Sequence, residues 1–250
     1  MMTLPLRTYR YSKSRRIRRP ARIDVWQPEG SGKHPSALLV HGGGFLGGNR
    51  SMRAVKTVAT HLTANGFAVA AFDYRLIMRG GRFDEAMDDA VEAMAWWRRH
   101  LDELGLDRAR VSVIGLSAGA AIAAGVASRL GRLHRLVGVY GPYDFLRLPK
   151  HHLVARVLLR TREHQEWQRR SPARSCEIEA PVGLFHGLDD RLVPPEHSHE
   201  LARFRRERGL PVKVQLYQDA RHGFLRHPEL AVTQKALTDV HRFLVEKQLS

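Results

Sequence analysis

One cysteine, Cys176, stands in the whole chain of 250 residues. An internal disulfide needs two, so no disulfide framework holds this fold, and without a Cys/His cluster at ligand spacing no zinc or other metal site is expected. Long apolar runs are missing as well. No stretch reaches the ~18 consecutive apolar residues that cross a bilayer, and residues 1–20 carry charge with no apolar core of the kind a secretory leader has. The expectation is a cytoplasmic chain with no membrane partner.

Acidic residues are in short supply: 25 Asp+Glu face 41 Lys+Arg, a formal net charge of +16. Such a balance suits polyanions. The basic residues, however, are spread along the chain. Only Arg15-Arg16-Ile17-Arg18-Arg19 and Arg205-Arg206-Glu207-Arg208 form tight clusters, and no nucleic-acid motif accompanies either. The charge reads as solvated surface, with no specific nucleic-acid partner. Internal repeats, low-complexity tracts and linkers are also absent. A chain of this length, 43% hydrophobic, therefore reads as one domain over residues 1–250 with a basic segment over 1–20.

The positive signal is alternation of two periods. Short apolar runs at 21–27, 36–40, 67–74, 111–116, 136–140, 181–187 and 212–217 read as strands. Apolar positions at helical spacing over 52–65, 83–104, 196–208 and 228–249 read as helices, as do the small residues that follow Ser117. Strand and helix in turn imply an α/β fold, a mostly parallel central sheet with helices on both faces. Residues 143–181 are less regular, with helical stretches around 152–169, and form a candidate short lid.

Reactive residue types fall where such a sheet binds ligands, beyond the carboxyl ends of its strands. The run 111–116 breaks at Gly115-Leu116-Ser117-Ala118-Gly119 and resumes as helix. A serine on that sharp turn projects its Oγ above the sheet edge, the geometry of a nucleophile, although a bare Gly-x-Ser-x-Gly also occurs in ordinary glycine turns. Its partners decide. A serine needs a base, and a base needs an acid to orient it. His222, between the last strand and the last helix, is the candidate base among 14 histidines. His41 and His186 also end strands but run directly into glycine and read as buried anchors. For the acid, the adjacent pair Asp189 and Asp190 follows the penultimate strand. The loop His41-Gly42-Gly43-Gly44 offers backbone N–H groups that no side chain obstructs, and the Ala118 N–H at a helix start is their natural partner for a developing oxyanion.

Five motifs in order resemble the α/β-hydrolase superfamily, within it the carboxylesterases of the hormone-sensitive-lipase-like and feruloyl-esterase-like group. They are His41-Gly42-Gly43-Gly44-Phe45, Asp73-Tyr74-Arg75-Leu76, Gly115-Leu116-Ser117-Ala118-Gly119, His186-Gly187-x-x-Asp190-x-x-Val193-Pro194 and His222-Gly223-Phe224. The resemblance implies Ser117 as nucleophile, His222 as base, Asp190 as acid, and Gly43, Gly44 and Ala118 as oxyanion donors. It implies hydrolysis of small-molecule esters through an acyl-enzyme, without a cofactor. The chain departs from relatives in having Phe45 where many carry tryptophan or tyrosine, and in having no stretch that reads as a long N-terminal helical cap, so a small or absent lid is expected. Two other readings stay open: an amidase or peptidase on the same triad, and a non-catalytic basic binding protein on the same fold.

Overall fold

Alternation of period two builds the core. In strand β3 (His34–Val40), Leu38 and Val40 pack into one apolar cluster while Ala37 and Leu39 pack into another. Strand β4 (Ala68–Phe72) repeats this, with Ala68, Ala70 and Phe72 on one side and Val69 and Ala71 on the other. Successive side chains of a strand point to opposite faces, so strands apolar at every position require a covered layer on each side. The computed structural model describes residues 7–12, 21–148 and 151–246, and the basic cluster at 15–19 lies outside them.

The remaining strands are β1 (Arg7–Ser12), β2 (Ala21–Trp26), β5 (Leu106–Leu116), β6 (Leu136–Val139), β7 (Val182–Gly187) and β8 (Val212–Tyr217). Together they form one eight-stranded sheet in the order β1-β2-β4-β3-β5-β6-β7-β8. Pairing is antiparallel for β1 with β2 and β2 with β4, and parallel from β4 to β8. The helices are α1 (Arg53–Ala64), α2 (Phe83–Arg99), α3 (Ala118–Val126), α4 (His151–Leu159), α5 (His164–Arg170), α6 (Glu196–Arg206) and α7 (Ala231–Val245). Val55 and Val58 of α1 join Leu237 and Val240 of α7 in one cluster; Ala90 of α2, Ile122 of α3 and Leu201 of α6 join the other. Trp97 of α2 is fully buried and donates its indole N–H to Ser36 Oγ at 3.3 Å. Burying a large apolar side chain contributes roughly 1.5–3 kcal/mol. No helix among the described residues is long and apolar enough to cross a membrane.

Differences from the periodicity reading have local causes. Helix α2 stops at Arg99 rather than 104, because residues 101–105 turn through Gly105 at φ +67° and the chain re-enters the sheet at Leu106. Strand β1 escapes a hydrophobicity reading because it is an edge strand in which only Tyr11 is buried. Polar contacts hold it instead: Thr8 Oγ1 donates to Asp24 at 2.6 Å and Tyr11 to the Asp73 carbonyl at 2.6 Å. Within 143–181 the helical stretch is two short helices, parted where Arg160 takes φ +56°.

Strand order explains where a site can form. β3 and β5 are parallel neighbours. The chain leaves β3 through α1 toward one face and leaves β5 through α3 toward the other. Neighbouring strands whose connections depart to opposite faces leave a crevice at their carboxyl ends. The Gly42–Gly44 loop and Ser117 lie there.

Candidate active site

Ser117 occupies the turn between β5 and α3 at φ +53° and ψ −123°, a region a non-glycine residue enters at a cost of about 1–3 kcal/mol. Its surroundings impose that conformation. The Ser117 N–H donates to the Val139 carbonyl at 2.9 Å, and its own carbonyl accepts from Ala120 at 2.8 Å. The flanking glycines permit the tight crossing: a Cβ on Gly115 would fall 2.4 Å from Ala120 Cα, and one on Gly119 would fall 2.2 Å from the Val40 carbonyl oxygen.

His222 reaches this serine from the loop after β8. Its Nε2 lies 2.9 Å from Ser117 Oγ and its Nδ1 2.7 Å from Asp190 Oδ2. A carboxylate can only accept, so Nδ1 carries the proton and Nε2 is left to accept from the serine hydroxyl. Asp190, after β7, is buried, whereas Asp189 beside it is exposed. Its other oxygen, Oδ1, accepts from the N–H groups of Leu192 at 3.0 Å and Val193 at 2.8 Å. Burial alone pushes this carboxyl up; hydrogen bonds from His186, His222 and the Val193 N–H outweigh it and hold Asp190 well below the ordinary carboxylate range.

His186 is fully buried behind Asp190. Nδ1 pairs with Ser198 Oγ at 2.7 Å and Nε2 with the Val193 carbonyl at 2.8 Å. His41 is likewise buried, its Nδ1 donating to the Gly42 carbonyl at 2.7 Å and its ring stacked on Tyr74 at 4.2 Å. Burial lowers His41 to about 4, so the imidazole is neutral near neutral pH. Cys176 is buried apart from the serine beside Arg205, and burial pushes its thiol up to about 11. Such a thiol is inert.

The glycine loop is folded against Ser117. The Gly43 carbonyl accepts from Leu46 at 3.1 Å and Gly47 at 3.0 Å, with Gly43 at φ +119°, and a Cβ there would sit 2.1 Å from the Gly47 oxygen. Gly43, Gly44 and Ala118 line the same cavity as Ser117. Of the contacts that anchor the loop, those of Arg50 have no local signature in the sequence. Arg50 Nε donates to Asp24 at 2.8 Å and its Nη1 to Asp73 at 2.5 Å, while Asp73 also accepts from the Arg50 N–H at 2.9 Å. Tyr74 donates to the His41 carbonyl at 3.0 Å, and Arg75 pairs with buried Asp89 at 2.8 Å. The Asp73-Tyr74-Arg75 motif thus supports the loop from beneath.

Above Ser117 opens a cavity of about 340 Å³, walled mainly by apolar side chains such as Phe45, Val55, Tyr140 and Leu192. Leu148 and Val154, from the 143–181 segment, form part of that wall. Phe45 and Tyr140, like Ser117, have positive φ (+63° and +43°), so backbone strain concentrates around this cavity.

A family model, BD-FAE, matches residues 23–204. The chain belongs to this family. The matched span of the BD-FAE chain contains the glycine loop, Ser117 and Asp190, and ends before His222. It is 27% identical over 239 residues to a probable isoprenylcysteine alpha-carbonyl methylesterase of Arabidopsis thaliana, covering 83% of this chain and 50% of that protein. It is 27% identical over 252 residues to the esterase LipC of Mycobacterium tuberculosis, covering 88% and 62%. The chain therefore spans about half to three-fifths of the length of these relatives. Among solved structures, esterase 2 of Thermogutta terrifontis phosphonylated by sarin superposes with a TM-score of 0.84 at 21% identity, covering 98% of this chain and 95% of that one. The acetyl ester-xyloside bifunctional hydrolase of Caldicellulosiruptor lactoaceticus gives a TM-score of 0.82 at 18% identity, covering 97% and 96%. At such identities the likeness concerns the fold, which is that of an α/β-hydrolase.

Proposed function

We propose that the chain is a serine hydrolase of small carboxylic esters, working through an acyl-enzyme. The observation that carries this reading is the hydrogen-bonded series Ser117–His222–Asp190, at 2.9 and 2.7 Å, facing a largely apolar cavity. The names of the relatives, a methylesterase and an esterase, support the same reaction class.

In the proposed reaction His222 Nε2 takes the Ser117 proton as Oγ attacks the ester carbonyl. Charge then develops on the carbonyl oxygen, and the N–H groups of Gly43, Gly44 and Ala118 receive it. One such donor contributes roughly 10²–10³ in rate. The C–O bond breaks as His222 returns the proton to the departing alcohol, leaving an acyl group on Ser117. Water enters, gives its proton to His222 and attacks the acyl carbonyl, releasing the acid and restoring the serine. Asp190 stabilises the imidazolium in both halves. Residues 1–250 act in this proposal as one domain, with 143–181 as a short lid that helps wall the acyl pocket.

A fluorophosphonate probe tests the nucleophile directly. It is expected to label Ser117 in the intact chain, and Ser117→Ala is expected to abolish both labelling and turnover of p-nitrophenyl acetate while the fold survives. An unlabelled wild-type serine, or unchanged turnover in the variant, overturns the assignment.

A further inference from the structure

Among the described residues that line the cavity over Ser117, only Arg226 carries a permanent charge. It ends the short turn Phe224–Arg226, four residues after His222. Its guanidinium lies against Gly223, where a Cβ would come within 2.6 Å of a terminal nitrogen, and its Nε donates to the Gly223 carbonyl at 3.4 Å. Every aspartate and glutamate of the chain lies within the described residues, and among those residues none forms an ion pair with Arg226. The other arginines near the site differ. Arg50 and Arg75 are bound by carboxylates. Arg191 and Arg221 line an adjoining cavity together with Asp189 and Asp219, two cations against two anions. That cavity meets the first at Leu192 and His222. Arg226, an exposed residue, is the permanent charge that lines the space over Ser117, and it has no ion-pair partner among the described residues.

An unpaired guanidinium beside an otherwise apolar wall is matched by a planar anion, because its fork of N–H donors fits two carboxylate oxygens. We propose that Arg226 is a specificity residue that selects esters carrying a free carboxylate, so that the preferred substrates are monoesters with one negative charge. This rests on the serine-hydrolase reading above. The carboxylate can belong to the acyl part, as in a half-ester of a dicarboxylic acid, or to the alcohol part, as in an ester of a hydroxy-acid.

Two substrate pairs of matched size separate these sources. p-Nitrophenyl hemisuccinate against p-nitrophenyl butyrate places the charge on the acyl side; 4-acetoxybenzoate against 4-acetoxybenzamide places it on the alcohol side. For one of the pairs, the ratio of kcat/KM for the charged ester to that for the neutral ester is expected to fall about threefold to fivefold in Arg226→Met, through KM, and to recover in part in Arg226→Lys. The wild-type ratio for that pair is expected to shrink as salt rises, because the contact is electrostatic. Hydrolysis of the neutral esters with both ratios unchanged in Arg226→Met overturns the role of Arg226 and leaves the hydrolase reading standing. Failure to hydrolyse any of the four overturns that reading and this one with it.

Discussion

His186 Nε2 stands 3.4 Å from Asp190 Oδ2, the same carboxylate oxygen that meets His222 Nδ1. Asp190 is therefore held from behind as well as meeting His222 in front, and with the N–H groups of Leu192 and Val193 on its other oxygen it stays ionised and oriented. Asp190→Asn offers an amide N–H where His222 requires an acceptor, which turns the imidazole to the wrong tautomer. A loss of about 10⁴ in kcat with the fold retained is expected. Asp189→Asn, changing an exposed side chain, is expected to leave kcat within about twofold. Equal losses in the two variants would overturn the choice of acid.

Stability should respond to pH through two buried histidines. Burial lowers His41 and His197 to about 4, against an ordinary 6.5. Between those values the unfolded chain binds protons that the folded chain does not, so the contribution is complete above pH 6.5 and is lost as pH falls toward 4. The separation corresponds to an upper figure of about 3 kcal/mol for each histidine. Asp190, whose folded value is depressed, adds to this loss only at more acidic pH. Urea melts at pH 7 and pH 4.5 are expected to show a marked drop, and His197→Asn to flatten it. A midpoint constant across the window counts against the assignment.

Two glycines should differ in how much an added methyl group costs. A Cβ on Gly119 would meet the Val40 carbonyl oxygen at 2.2 Å, whereas one on Gly44, at φ +61°, meets nothing within 4 Å. Gly119→Ala must push α3 away from β3, at a cost of about 1–3 kcal/mol, and should misplace Ser117. Gly44→Ala pays only the left-handed backbone term, about 1 kcal/mol. Denaturant midpoints measured side by side should rank Gly119→Ala as the less stable.

The α4 side of the cavity should set acyl length. Val154 and Leu148 line the cavity, and Val154→Trp would fill part of its 340 Å³. The ratio of kcat/KM for p-nitrophenyl hexanoate to that for the acetate is expected to drop about tenfold, since each lost methylene contact is worth about 0.8 kcal/mol. An unaltered ratio would place the acyl chain elsewhere.

Local chemistry singles out Ser117 and the glycine loop, because each lies where an apolar strand pattern runs into glycine, and His222 by its place in the loop between the last strand and the last helix. The sheet itself was legible for the same reason: its inner strands are apolar at nearly every position. Edge strand β1, with one buried side chain, carries no such pattern, and α2 stops where a turn through Gly105 interrupts a helical spacing that continues in sequence. Folding in three dimensions decided what could not be read locally. Asp189 and Asp190 are equivalent in composition, and only the course of the turn after β7 buries one and exposes the other. Arg50 finds its carboxylates 23 and 26 residues away, and Ser117 meets His222 105 residues away. Periodicity acts over a few residues and defines elements. The meeting of side chains so far apart depends on strand order, here on β3 and β5 lying side by side while their helices leave to opposite faces.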